Sequence, residues 1–510
     1  MGETQQRRRH EQDDAIRPTF NRAVRIEARR ERLTADAGVF MLRELMERTG
    51  LVHWLKAHFT DPRNPELITH PMVELLRTTL TLLAQGWTDA DDADHLRHDP
   101  ALRLAVSDRG QDAALRRPDT VHTPDGLASQ PTLSRLLAAA TAPGNLLALE
   151  QANLFLAQQR CRWLDGRRRH RELTLDIDSL PVPVHGQQAG ALYNRYYGTR
   201  CYHPLILGSA ESGQLFGGIL RPGNVSTADG AAQVLRDYLD WIERHLAWQV
   251  TVRGDAGFPS DRLLTLMEQR LRPVHYVFRV RSYPALQEIA EPFVQQYLRD
   301  LCEDSRAVRH EDCRCHELVY QAKKWARPRR VVLVIVPPED GQLFPRTFFL
   351  ITNFAASSMS GERLLALYRQ RGTYEQQLWQ FMSTLTPQLS STTRPKSHYR
   401  GRPPRRRYAS RDAFEANQAL LSLNLLAYNL LSLGGAIAQR AHTQLGRPKI
   451  YGRSSATLSV DAFRQRYLKV AARITLHSRR VWVSIADAAA DLWRRWWDFV
   501  QRLDAVSVVN

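Results

Sequence analysis

The stretch at residues 173–186, LTLDIDSLPVPVHG, restricts the possible folds of this chain more than any other. Leu173, Leu175 and Ile177 alternate with Thr174, Asp176 and Asp178, the period-two pattern of a strand with unlike faces. One face is apolar and the other carries two acids. Neighbouring carboxylates repel and are costly to desolvate, so a strand that keeps them near a core needs a cation or a hydrogen-bonding loop to receive them. Two readings follow: a strand that supplies metal ligands, or an edge strand with one wet face.

At 510 residues the chain exceeds one ordinary core, and two to four domains are expected. The 71 Lys+Arg against 53 Asp+Glu leave a net charge of +18, with an isoelectric point near 10.1. That balance suits a polyanionic partner, although charge alone does not separate nucleic acid from an anionic membrane. Five cysteines and a charged, leaderless N-terminus fit a reducing compartment. Residues 420–438 approach membrane-spanning length but include Ser422, Asn424, Asn429 and Ser432. A helix buried in a large soluble core explains them better.

In chain order, residues 1–36 read as a basic flexible arm, and 37–165 as a helical, DNA-binding region. Helical spacing of apolar residues recurs over 37–55 and 71–84. The acid-dense segment 85–100 lacks the Gly and Glu of a calcium loop and reads as a turn capping the next helix. Ser129 before Pro131 marks another helix start, whose main role is packing.

Residues 166–282 form the first part of a core. After the opening strand come strands over 201–209 and 214–220, a helix over 228–246, a strand over 248–258, a helix over 258–270 and a strand over 274–280. Asp255 closes the fourth strand between Gly254 and Gly257, where ligand-binding carboxylates often sit. Arg253-Gly254-Asp255 also spells an adhesion tripeptide, read here as chance. This order of elements matches the ribonuclease H-like fold, whose acids come from the first strand, the end of the fourth and a late helix.

Residues 283–355 read as a β-rich insertion. His310, Cys313, Cys315 and His316 within it resemble zinc ligands but lack the usual finger spacing. The second part of the core, 356–438, opens with a helix over 360–385 that places Tyr368, Arg371, Glu375, Leu378 and Met382 on one side. Leu367, Tyr374, Phe381 and Leu385 form a neighbouring stripe fit for the core, and Gly372 weakens the helix between them. Residues 394–411 carry eight basic residues and no acids, a phosphate-tracking run. Residues 439–510 read as basic and helical, with Trp493, Trp496, Trp497 and Val500 on an apolar face for the chain's own core or a second subunit.

Asp178, Asp255 and Glu375, with Tyr368-x-x-Arg371-x-x-x-Glu375, resemble the acids and signature helix of DDE transposases from bacterial insertion sequences of the family 4 superfamily. The phrases QGWTDADDADHLRHDP, LASQPTLSRL, LDIDS, HGQQ, LRPGN and RGDAGF are similar to those of the family numbered 1380. The resemblance implies an α/β protein: a ribonuclease H-like catalytic core interrupted by a β-rich insertion, with helical N-terminal and C-terminal regions. It implies two Mg²⁺ or Mn²⁺ ions held by Asp178, Asp255 and Glu375, cleavage at transposon ends and strand transfer into target DNA. Tyr368, Arg371, Lys396, Arg400, Arg402, Arg405, Arg406 and Arg407 would contact DNA. The partners implied are transposon-end and target double-stranded DNA and a second copy in a synaptic homodimer, in the bacterial cytoplasm on the nucleoid, with no membrane.

Three points stay open. Asp176 competes with Asp178, which is preferred because it leads into the turn toward His185 and Gly186. Met382 stands where the family signature ends in a Lys, which supports a catalytically silent DNA-binding protein as one alternative; a nuclease of the same fold, cutting without joining, is another. Trp325 is a candidate for holding a flipped base, a role relatives give to aromatic side chains.

Overall fold

Alternation, helical spacing and turn residues resolve into the following elements in a computed structural model. It describes residues 16–503 except 22, 28–30, 117–119, 121–122, 185–187, 273, 304–312, 340–341, 343, 392–409, 444–457 and 479. A short strand, β1 (Arg32–Thr34), precedes seven helices: α1 (Val39–Arg48), α2 (Leu51–His58), α3 (Met72–Gln85), α4 (Asp92–His95), α5 (Pro100–Val106), α6 (Gln130–Ala140) and α7 (Pro143–Asp165). The helix expected over 37–55 divides at Gly50, whose φ of +74° closes α1 with a left-handed residue. Asp99 caps α5 by accepting from the Leu102 N–H at 2.9 Å.

Strands β2 (His170–Ser179), β3 (Val182–Pro183), β4 (Leu192–Asn194), β5 (Thr199–Tyr202), β6 (Leu205–Ser209) and β7 (Leu215–Ile219) lead to α8 (Ala231–His245), β8 (Ala247–Gly254), α9 (Asp261–Glu268) and β9 (His275–Val280). Then come α10 (Pro284–Glu303), β10 (Arg314–Tyr320), β11 (Arg329–Val336), β12 (Arg346–Thr352), α11 (Gly361–Arg369) and α12 (Gly372–Leu385). Last are α13 (Ser410–Thr443), α14 (Val460–Phe463), β13 (Ala472–His477), β14 (Arg480–Ile485) and α15 (Asp487–Arg502).

One eight-stranded sheet organises the molecule, in the order β10-β11-β12-β9-β8-β2-β6-β7. β2 pairs parallel with β8 and β8 parallel with β9, while the outer strands are antiparallel. The apolar face of β2, Leu173, Leu175 and Ile177, packs with Val250, Val252 and the buried side of α8. The opposite face carries Asp176 and Asp178 and lies toward the elements after residue 360. The acidic strand is therefore interior to the sheet, and the edge-strand reading fails.

Residues 283–355 hold more than strands. The 20-residue α10 fills the first third, and β10 to β12 anneal onto β9 as a continuation of the central sheet. The sheet face toward α11, through Val332, Val334 and Leu350 with Val277 of β9, buries Leu364 and Leu365.

The basic arm and the helical tail need correction. Residues 32–34 pair with β13, and β13 pairs with β14, so an early and a late segment of the chain meet in a three-stranded sheet. The alternation of buried Ala472 and Ile474 with exposed Arg473 is a strand period that the helical reading overlooked. Residues 1–15 of the arm lie outside the described residues. α15 packs on the chain's own core, where Trp496 donates its indole N–H to the Gly434 carbonyl at 3.2 Å.

The long apolar helix α13 is covered by protein. It is the one described helix long and apolar enough to cross a membrane, and 83% of that window is buried. Its polar residues serve the sheet edge. Asn429 accepts from the Leu215 N–H at 2.9 Å, and its amide group donates to the Leu215 carbonyl at 2.6 Å and to Asn153 at 2.9 Å. Those bonds give β7 the backbone partner that an edge strand lacks.

Candidate active site

Parallel pairing of β2 with β8 sets Asp176 beside Arg253 and sends both chains out of the sheet at the same edge. The Arg253 side chain, fully buried, meets Asp176 in a bidentate pair, Nε to Oδ1 at 2.8 Å and Nη2 to Oδ2 at 2.6 Å. Its remaining nitrogen donates to the Leu367 carbonyl, 2.6 Å away in α11. Asp176 is thereby neutralised inside the protein, with both oxygens engaged. The Arg253-Gly254-Asp255 tripeptide is unavailable for adhesion because its arginine has no exposed surface.

Asp178, two residues on and on the same face, stands at the rim. The signature helix supplies its partner. It is two helices, α11 and α12, separated at Gln370 and Arg371, next to the Gly372 that weakens the pattern. Arg371 at the break donates to Asp178 through one Nη and to Glu375 through the other. One guanidinium therefore joins two carboxylates from distant parts of the chain. Burial opposes the Arg371 charge, but Asp178, Tyr368, Glu375 and Asp255 together hold it above its usual range. Burial also pushes the Asp178 carboxyl up to about 6, against Arg371 and with the help of the Asp255 and Glu375 charges.

Asp255 follows β8 in a turn that its own side chain organises, accepting from the Gly257 N–H at 2.8 Å. A Cβ at Gly257 would lie 2.9 Å from the Thr227 Cβ and 3.1 Å from Asp255 Oδ1, so this tight turn needs glycine. Glu375 is exposed, but its neighbour Tyr374 is fully buried and donates its hydroxyl to the Ile206 carbonyl at 2.9 Å. The Tyr374 ring lies on Gly208, where a Cβ would come within 2.5 Å of it. This contact, with buried Phe381 and Leu385, fixes α12 against the sheet.

A further arginine, in the LRPGN phrase, holds the loop behind the site. Arg221 donates to the His203 carbonyl at 2.9 Å, to Ser179 Oγ at 2.7 Å and to the Thr227 and Asp229 carbonyls at 3.0 and 2.6 Å. Burial lowers its pKa to about 10. The sequence reading assigned no role to Arg253 or Arg221. The sequence signal for Arg253 was a basic residue two before Asp255 at the end of an apolar strand; its register with Asp176 comes from the pairing of β2 with β8.

Tyr368 is half-buried at the end of α11, within electrostatic reach of Arg371, Asp255 and Glu375. Lys396, Arg400, Arg402, Arg405, Arg406 and Arg407 lie outside the described residues, as do His185, Gly186 and His310. Trp325 is not free to hold a base: it is buried, edge-on to Tyr320 and beneath Arg329. Cys313 accepts from Arg369 at 2.9 Å, and burial raises the Cys315 thiol to about 12. Elsewhere, Cys161, Asp165 and His170 bring ligand atoms within 4.8 Å of one another. Asp165 is paired with Arg160 and Arg440, as Asp178 and Glu375 are with Arg371, and it belongs to the one trio of this kind among the described residues.

The family model described as transposase DDE domain, group 1, matches residues 16–397 of the chain. No curated protein matches it. Among solved structures it is similar to a chain in the cryo-EM structure of a piggyBac transposase synaptic complex with hairpin DNA. That similarity covers 85% of this chain and 79% of the other, at 12% identity and a TM-score of 0.38, and is too distant to bear on function.

Proposed function

The chain belongs to the transposase DDE domain group 1 family, and from that premise we propose that it is a metal-dependent DNA transposase of a bacterial insertion sequence, within the family numbered 1380. Its catalytic core is of the ribonuclease H-like type. The observation that carries this reading is the Arg371 guanidinium joined to Asp178 and Glu375, with the Asp255 charge acting on Asp178 and Arg371. Carboxylates that converge on one organic cation form a donor set suited to hard divalent cations. Asp178, Asp255 and Glu375 are the residues that would hold Mg²⁺ or Mn²⁺. Such ions, when bound, activate a nucleophile and stabilise the leaving oxygen of a phosphodiester.

The chain's own groups do the rest. Arg253 and Arg221 hold the strand ends on which Asp178 and Asp255 sit, and Tyr374 holds the helix that presents Glu375. Arg371, released from its carboxylates, is placed to grip a phosphate through two parallel N–H bonds. Water attack on the phosphodiester at a transposon end breaks the bond from phosphorus to the 3′-oxygen and leaves a 3′-hydroxyl; that hydroxyl then attacks a target phosphate, gives up its proton, and displaces the target strand's 3′-oxygen, which leaves as a hydroxyl. The substrate is DNA in the cytoplasm, on the nucleoid, and joining two ends calls for two copies of the chain.

The test uses a plasmid carrying the DNA that flanks the gene on both sides, with the full-length protein and Mg²⁺. Cleavage and strand transfer are expected. Asp178→Asn, Asp255→Asn and Glu375→Gln should each lower the cleavage rate about a thousandfold or more while end binding persists. Asp176→Asn should instead act mainly on stability. Equal cleavage by the parent and Asp178→Asn would refute the site. One observation favours a second reading, a DNA-binding protein that does not cut: Met382, in place of the signature Lys, packs against the core and offers no charge. Binding without any metal-dependent cleavage by the parent would favour it.

A further inference from the structure

The last turn of α7 and the first residue of β2 bring three unlike donors together, at the far end of β2 from Asp178. Cys161 and Asp165 stand four residues apart and so share one face of the helix. Gly166, with a φ of +62°, stops the helix and turns the chain toward β2, which His170 opens with its N–H bonded to the Leu246 carbonyl at 2.7 Å. The Cys161 sulfur, an Asp165 oxygen and a His170 ring nitrogen thereby lie within 4.8 Å of one another. Cys161 has no exposed surface, whereas the Asp165 side chain is 29% exposed and gives the group a path to solvent. Neither the Cys161 sulfur nor the His170 ring has a hydrogen-bond partner among the described residues. Asp165 is held slackly: Arg160 lies 3.9 Å from one oxygen and Arg440 3.3 Å from the other, and Arg440 also donates to the Leu164 carbonyl. Close charge-assisted bonds are about 2.7–2.9 Å long, so neither arginine saturates this carboxylate.

We propose that Cys161, Asp165 and His170 bind one Zn²⁺ that fastens the end of α7 to the start of β2. The proposal does not depend on the transposase reading. Zn²⁺ accepts thiolate, imidazole and carboxylate together, whereas Mg²⁺ and Mn²⁺ favour oxygen donors, so chemistry assigns different metals to this trio and to the carboxylates around Asp178. In a tetrahedral shell with metal bonds of about 2.0–2.3 Å the ligand atoms stand about 3.5 Å apart, and side-chain movements of about 1 Å close the trio on the ion. Binding forms the sulfur–zinc bond and breaks the Cys161 S–H bond, whose proton goes to water; thiolate and carboxylate then balance the charge of the ion. One Asp165 oxygen suffices, which leaves the other to Arg440. Water takes the fourth position, because Glu211, which lines a cavity with Arg160, already accepts from the Thr174 N–H at 2.7 Å and the Ser209 hydroxyl at 3.1 Å. Along β2 the distance from His170 to Asp178 is about 26 Å, so the ion braces the strand and takes no part in chemistry at its other end.

The test uses the full-length protein and the metals alone. Stripped of metal by a chelator and returned to chelator-free buffer with excess Mg²⁺, the parent should take up one Zn²⁺ per chain and keep it through gel filtration. Co²⁺ in its place should give the near-ultraviolet absorption of a thiolate-bound ion, and Zn²⁺ but not added Mg²⁺ should raise the thermal midpoint. Cys161→Ser should abolish the cobalt band and weaken Zn²⁺ binding about a hundredfold or more, and His170→Gln should weaken it about as much. Cys313→Ser with Cys315→Ser should leave the band and the stoichiometry unchanged. If Cys161→Ser does not fold, His170→Gln decides by the same measurements. The proposal is overturned if the parent retains no Zn²⁺, if the folded ligand variants bind it as tightly as the parent, or if the cobalt band disappears only with Cys313 and Cys315.

Discussion

At the residue scale, two aspartates two positions apart on one strand face have different fates, and their partners decide which. Asp176 is locked to Arg253 with no exposed surface, while Asp178 shares Arg371 with Glu375 at the rim. A buried pair is costly to break from one side only. Arg253→Met should destabilise the protein by about 3–5 kcal/mol, because it strands a buried carboxylate and frees the Leu367 carbonyl. Adding Asp176→Leu should recover a large part of that loss. Urea midpoints of the three variants decide the matter, and a cost below about 1 kcal/mol for Arg253→Met would show that Asp176 is not ionised there. The residue types at the site were readable from the chain alone. The partner of each aspartate was not, because it depends on which arginine the fold brings to it.

At the element scale, α7 and α8 confront each other through like charges. Burial, aided by Asp237, pushes the Glu150 carboxyl up to about 7. The buried Tyr238 hydroxyl beside it has no hydrogen-bond partner among the described residues. A carboxyl whose pKa is raised on folding contributes stability that is complete below its unfolded value and disappears as pH rises through about 7. The parent should therefore lose stability between about pH 5 and pH 8. Glu150→Gln should lack that loss and exceed the parent at pH 8 by up to ~3 kcal/mol, with little difference at pH 5. Parallel denaturation curves for the two proteins at both pH values would contradict this. The elements themselves were mostly anticipated by periodicity. The exceptions have local causes: Gly50 splitting α1 from α2, the break at Arg371, and the short alternation of β13 within a basic tail.

At the scale of the whole molecule, α13 seals one edge of the sheet. Two hydrogen bonds between Asn429 and the Leu215 backbone stand in for a missing neighbouring strand, and a third ties Asn429 to Asn153. Asn429→Leu keeps the volume and apolar character of the helix but leaves the Leu215 N–H and carbonyl without partners. It should lower stability by about 2–4 kcal/mol and increase aggregation through the opened edge. Calorimetry with light scattering measures both, and an unchanged midpoint would remove the argument. The same helix explains why a membrane-length apolar run occurs in a chain of net charge +18.

By itself the sequence determined what is periodic or local: the two-faced strand with its two acids, the apolar helices, and the glycine turn after Asp255. These are legible because pleat and helical pitch impose fixed spacings on burial. Only the tertiary structure decided that β10 to β12 prolong the central sheet, that β1 joins β13 and β14 in a second one, and that Arg371 reaches Asp178 across the sheet. Those facts depend on contacts between segments hundreds of residues apart, which no local spacing encodes.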